Sequence, residues 1–235
     1  MEKDVYYNYV IATFKDLENR LIDCMEYIPF SEKNKNVTSP KFVSMILDSC
    51  SLIESLFCEF ATENKRKRNL KQYCEIIEPE NNFSTTISIF LIHPIRFMSP
   101  FAFWVNKIPS WWQAYNKLKH DRISNYEFAT YDNTINSLVG LHQVISKIKH
   151  LIPNLFIAGW LNTDNVEGYE LMMANEIGRG VGVSGIIPVT SNLFVSPLEE
   201  NFVKINKNRL TVNWDCEFTK RVQNLLSIEE YLEYL

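Results

Sequence analysis

The stretch Pro109-Ser-Trp-Trp-Gln-Ala-Tyr-Asn-Lys-Leu-Lys-His-Asp-Arg122 places bulky apolar side chains and a dense set of polar groups on one short segment. At 3.6 residues per turn, Trp111, Tyr115 and Leu118 fall on one stripe, while Gln113, Asn116 and His120 lie three and four apart on another. That division is the signature of an amphipathic helix, with one side to bury and one to present. Ser110 stands three residues before Gln113, the S-x-x-Q pattern of a capping box, which predicts a helix starting there with Trp111 at its first position.

Helical spacing continues on both sides of this segment. Val5, Tyr6, Tyr9, Val10, Phe14, Leu17, Leu21 and Met25 predict a first helix ending before Pro29. Ser39 and Pro40 read as N-cap and first-turn proline of a second, running through Phe42, Met45, Ile46, Ile53, Leu56, Phe57 and Phe60. A shorter helix is expected over residues 70–77. A long one is expected over 132–151, with a wide apolar face from Ile135 through Leu138, Val139, Leu141, Val144, Ile145 and Ile148 to Leu151. Four strong helices favour an antiparallel bundle.

Residues 87–105 are apolar but broken by His93, Pro94, Arg96 and Pro100, too interrupted for a membrane span, and read as buried irregular backbone. The last third is mixed. Strand-like residues occur at 155–160, 193–195 and 202–212, with Asn206-Lys-Asn208 a hairpin turn between Val203-Lys-Ile205 and Leu210-Thr-Val212. Helices are expected at 170–177 and, acidic, near 227–234. The fold expected is mainly α: an antiparallel helical bundle over residues 1–152, with a small mixed α/β extension over 153–235 packed on it.

Composition sets the outer bounds. In 235 residues, 46% hydrophobic and 13% aromatic side chains are ample for a packed core. A net charge of -4 does not give the global positive field of a nucleic-acid coat protein, so any such contact must be a local patch. Cys24, Cys50, Cys58, Cys74 and Cys216 are odd in number and scattered, which points to buried thiols in a reducing compartment. The charged opening Glu2, Lys3 and Asp4 lacks a leader pattern, so a cytoplasmic protein is expected, with no membrane contact.

The chemistry concentrates on the quoted helix. Asn116 can orient the His120 imidazole across one turn, and an imidazole exchanges protons near neutrality. The plainer reading is that His120 complements the helix C-terminus while Asp121 and Arg122 stabilise a turn.

Tyr115-Asn-Lys-Leu-Lys-His120 resembles the R-N-x-x-x-H signature of HEPN domains, helical bundles found in bacterial toxin–antitoxin, CRISPR and phage-defence proteins. The longer W-W-x-A-Y-N-x-x-K-H-D-R form, followed by a helix opening Ala129-Thr-Tyr-Asp-Asn, is similar to a bacterial branch of HEPN-like proteins. The resemblance covers residues 1–152. It implies a homodimer through the helical bundle, cleavage of RNA by its own 2'-hydroxyl, no metal and no cofactor. By position, His120 is then the acid–base residue and Asn116 its polar support, with Trp112, Tyr115 and Asp121 lining the binding surface. Tyr115 occupies the arginine position, and a phenol offers phosphate no permanent bidentate cation. Lys119 and Arg122 are the candidate replacements.

Other candidates lie elsewhere. Lys65, Arg66, Lys67 and Arg68 form a dense basic run suited to phosphate contact or to a solvated helix end. Arg179 is the contact residue of the glycine-rich loop 178–185, which lacks the lysine and hydroxyl of a P-loop. Glu54 and Asp48, in an otherwise apolar helix, need a cation such as Arg122, Lys119 or protonated His120, most simply as a salt bridge across the bundle. His142 reads as a core histidine, and His93 and His150 have no ligand-spaced neighbours. Three functional classes follow: a HEPN-like module binding RNA, a nucleotide or a protein partner without turnover; a metal-independent endoribonuclease using His120; and a structural protein whose tryptophans only fill the core.

Overall fold

Three- and four-residue spacing becomes burial directly in α1 (Lys3–Tyr27), where Val10, Phe14, Leu17 and Leu21 are sealed from solvent. The structure, a computed structural model, describes residues 3–60, 68–92, 95–161, 188–197, 203–206 and 209–212. α2 (Pro40–Phe60) opens as expected, with Ser39 Oγ accepting from the Lys41 N–H at 3.2 Å. α3 (Leu70–Asn81) carries a reciprocal capping box between Asn69 and Gln72. α4 (Ser110–His120), α5 (Tyr131–Lys147) and the short α6 (Ile152–Ile157) complete the helices.

Side-chain pairs give the helix directions. On α1, Arg20 donates to Ser44 and Asp48 of α2, while Tyr6 lies by Cys58 and Glu59. On α4, Trp112 stacks at 6.4 Å from Phe57 and Tyr115 reaches Glu54. Both helices therefore run against α2. In α5, Tyr131 stacks on Phe42 at 4.9 Å and Ser137 accepts from Ser49 at 2.9 Å, so α5 runs with α2. Fully burying each such aromatic or leucine stabilises by about 1.5–3 kcal/mol. Gly140 of α5 has a specific packing role, since a Cβ there would stand 3.2 Å from the Trp111 ring. The absent side chain lets the indole lie against the helix.

A four-stranded antiparallel sheet packs on α5. Its order is β2 (Arg96–Met98), β1 (Ser88–Phe90), β4 (Phe194–Pro197), β3 (Pro188–Thr190). Ile89 pairs with Val195 and Phe90 with Phe194, so the sheet draws chain from both sides of residue 153. Phe194 stacks on Phe90 at 5.2 Å and meets Phe14 of α1 at 6.2 Å, which ties the sheet to the helical core. β5 (Val203–Asn206) and β6 (Arg209–Val212) form a separate ribbon closed by Asn206↔Arg209, the hairpin expected from the sequence.

The chain is thus mainly helical with a small antiparallel sheet, and several local expectations change. Residues 87–105 contain β1 and β2 rather than wholly irregular backbone, and Phe97, Phe103 and Val105 are exposed rather than buried. Residues 155–157, expected to be strand, belong to α6, which is followed by Gly159 with φ of 72° before Leu161 bridges to Val189. α5 stops at Lys147 and gives way to a 3-10 turn over Lys149–Leu151. The Ser110 box does not form, because Ser110 is itself the first helical residue behind Pro109, and Gln113 Nε2 donates to the Ile108 carbonyl at 2.7 Å instead. The glycine-rich sequence 178–185, Arg179, the helices expected near 170–177 and 227–234, Cys216, His93 and Lys65, Arg66 and Lys67 lie outside the described residues. No helix among the described residues is long and apolar enough to cross a membrane.

Candidate functional site

α4 divides as its periodicity predicts. Trp111, Trp112, Tyr115 and Leu118 are 2% exposed or less, while Lys119, His120 and Arg122 are exposed and Asn116 is half-buried. Trp112, expected to line a binding surface, instead packs against Phe57 in the core. An indole carries too much apolar area to remain in water when a facing phenylalanine is within reach.

Tyr115 turns inward. Its Oη donates to Glu54 Oε2 at 3.0 Å and accepts from Lys119 Nζ at 2.9 Å. Lys119 also donates to both Glu54 oxygens, at 3.1 and 3.4 Å, and lies over the Tyr115 ring at 4.8 Å. Burial pushes the Tyr115 phenol up to about 12, so it remains a neutral donor. The hydrogen bond from Lys119 to that phenol raises the lysine, which keeps its proton and its charge. The salt bridge expected for Glu54 is thus the one to Lys119, at 3.1 Å. Asp48 finds a different partner, Arg20 at 3.1 Å, because α1 rather than α4 faces that turn of α2.

This arrangement occupies one of the two candidate cations. Lys119 is already matched by a carboxylate and would have to leave it to meet a phosphate. Arg122 lies beyond the end of α4, exposed, and none of the described residues forms an ion pair with it. Likewise no hydrogen bond among the described residues joins Asn116 to His120, so the expected orientation of the imidazole is absent.

The turn after α4 is held by side-chain hydrogen bonds. Asp121 Oδ1 accepts from the Ile123 and Ser124 N–H groups at 3.0 Å each, and the bonds it takes from Ser124 and Ile123 hold its carboxyl below the usual carboxylate range. Asn125 Nδ2 caps the helix, donating to the carbonyls of Lys117 at 3.2 Å and Asp121 at 2.9 Å. Lys117 lies 3.4 Å above the Phe128 ring. Asp121 therefore braces the turn, the part given to it in the plainer reading of this segment. Ile123, passed over in the sequence, stands 90% exposed at the tip of this braced turn. A lone isoleucine among polar residues gives no periodic signal that could have flagged it.

Elsewhere, His142 is a core histidine as expected, fully buried beside Phe14, Trp160 and Phe194. Arg68 is half-buried just before the Asn69 cap, and its Nη1 has no hydrogen-bond partner among the described residues. Among the described residues no group of three or more His, Cys, Asp or Glu side chains is placed to hold a metal. Set against family models, curated proteins and solved structures, the chain matches none.

Proposed function

We propose that the chain is a HEPN-like binding or scaffolding module without turnover, engaging RNA, a nucleotide or a protein partner in a bacterial stress or phage-defence setting. One observation carries this reading: the residue in the motif's arginine position, Tyr115, points into the core and donates to Glu54, and that carboxylate also pairs with Lys119. Cleavage through a 2'-hydroxyl needs a proton-transfer group and a cation that stabilises phosphate charge as it develops. Exposed His120 supplies the first. The inward cluster withholds the second, since its positive charge is already matched. Asn116, His120 and Arg122 at the solvent side of the same turn are the surface left for a ligand.

The test is direct. The full chain is mixed with fluorescently labelled single-stranded RNA in a metal chelator, and anisotropy and fragment length are read together. Binding that weakens with salt, without new fragments, is the expected result. Metal-independent fragmentation that disappears in His120→Ala would establish a ribonuclease instead.

A further inference from the structure

Just ahead of α4, Phe101 and Trp104 are buried with their rings 4.9 Å apart, while Phe103 between them stands 75% exposed. Its backbone sits at φ of 68°. In that left-handed region Cβ crowds the following carbonyl, so glycine adopts it freely and a bulky side chain does not. A phenylalanine stays there only where its surroundings over-determine the turn. They do so here. The Phe103 carbonyl accepts from the Asn106 and Lys107 N–H groups at 2.8 Å each, and the Trp104 N–H donates to the Phe101 carbonyl at 3.0 Å. Trp104 Nε1 donates to Glu78 Oε2 at 2.7 Å and ties the turn to α3. The Phe103 ring takes no part in this bracing, and glycine would make the same turn with less strain. An aromatic ring is thus held in water at a conformational cost, the kind of strain that marks functional positions.

The turn opens onto the outer side of α4. The bond from the Lys107 N–H to the Phe103 carbonyl closes one helical turn, which sets Lys107 beside the ring. One residue on, the Ile108 carbonyl accepts from exposed Gln113, and Lys117 and His120 follow Gln113 at four- and three-residue steps. Phe103 and His120 therefore lie at opposite ends of one surface. Between Arg96 and Glu127 the sequence holds four cations, Lys107, Lys117, Lys119 and Arg122, against one acid, Asp121. Lys119 is matched by Glu54, Asp121 is bonded to its own turn, and Glu78 is taken by Trp104 and Ser84. Lys107, Lys117 and Arg122 form no ion pair among the described residues. Lys117 is steadied over the Phe128 ring at 3.4 Å, which leaves its charge and its donors in place. A polyanion that also carries flat rings matches both halves of this surface. An apolar protein face on Phe103, Val105 and Ile108 would instead desolvate Lys107 without a carboxylate to pair it.

We propose that Phe103 is a stacking platform for an unpaired RNA base, with Lys107 on the adjoining phosphate and Lys117 and Arg122 guiding the strand along α4 toward His120. This rests on the RNA reading above and adds the form of RNA that is taken. In a duplex the bases already stack on one another and offer the ring no face, so the surface selects single strands.

The test compares two probes of equal charge on the full chain in a metal chelator: fluorescein-labelled oligouridine of about 12 nucleotides, and the same ribose-phosphate strand without bases. Wild type is expected to bind oligouridine about 10-fold more tightly than the abasic strand. Phe103→Ala removes that preference and leaves abasic binding unchanged, and Phe103→Trp restores it. Lys107→Gln weakens both probes alike and flattens the salt dependence by about one unit of slope. Phe103→Gly binds like Phe103→Ala yet unfolds at the same or a higher urea concentration, because the ring does not hold the fold. Wild type that binds neither probe overturns the RNA reading and this proposal with it. Oligouridine binding that survives in Phe103→Ala and Phe103→Gly overturns this proposal alone. So does a Phe103→Gly chain that unfolds at clearly lower urea, or a Phe103→Ala chain that keeps its base preference but loses self-association in sedimentation, which would assign the ring to a protein contact.

Discussion

On its inner side α4 buries Trp111 and Tyr115, and their polar atoms are taken: the indole N–H donates to the Pro100 carbonyl at 2.8 Å and the phenol is shared by Glu54 and Lys119. On its outer side, one residue along from Tyr115, Asn116 makes no side-chain hydrogen bond among the described residues, and neither does His120. A polar group turned inward is consumed by the fold, because leaving it unpaired there costs about 1–3 kcal/mol. One turned outward is satisfied by water and remains available. The same stretch of helix therefore holds a structural cluster on one side and polar groups unbonded among the described residues on the other, and the resemblance to a catalytic motif spans both.

The largest test of the inner side is Trp111→Ala. It empties the contact with Phe101, Trp112 and Gly140 and deletes the bond to Pro100, so a loss of about 3–5 kcal/mol is expected in urea unfolding with an unchanged slope. A loss below about 1 kcal/mol would mean that α4 is not anchored by this ring. Tyr115→Phe comes next. Glu54 and Lys119 keep each other, so only one partly buried hydroxyl is removed, at about 1 kcal/mol. If ligand binding also collapsed, the phenol would belong to the outer surface rather than to the inner one.

How much of this was legible in the sequence follows from the range of each signal. Helical periodicity repeats over many residues, so α1, α2, α4 and α5 could be read from it, as could the Ser39 cap and the 203–212 hairpin. β1 and β2 are three residues each, too short for alternation to register, and β1 pairs with a strand more than a hundred residues later. Residues 155–157 read as strand by composition, yet α6 forms there because local hydrogen bonding and contact with α1 outweigh propensity. In the candidate site, a salt bridge for Glu54 was foreseeable from a carboxylate in an otherwise apolar helix. Which cation answered it depended on helix register, and so did the inward turn of Tyr115, which no one-dimensional pattern encodes.

The smallest expected effect on stability is the most informative for the outer side. Asn116→Ala and His120→Ala remove side chains that bond to none of the described residues, so each should change unfolding free energy by no more than about 0.5 kcal/mol. If His120 closed the helix through its charge, its removal would instead cost about 0.3–1 kcal/mol, and the loss would shrink with added salt. Measuring His120→Ala at low and high salt therefore separates a surface kept for a partner from a helix end kept for itself. A salt-sensitive loss near about 1 kcal/mol would assign the outer side of α4 to folding, as Tyr115 already is, and the contrast between the two faces would vanish. Unchanged stability combined with weakened RNA binding would place the recognition on Asn116 and His120 and leave the inner cluster as their scaffold.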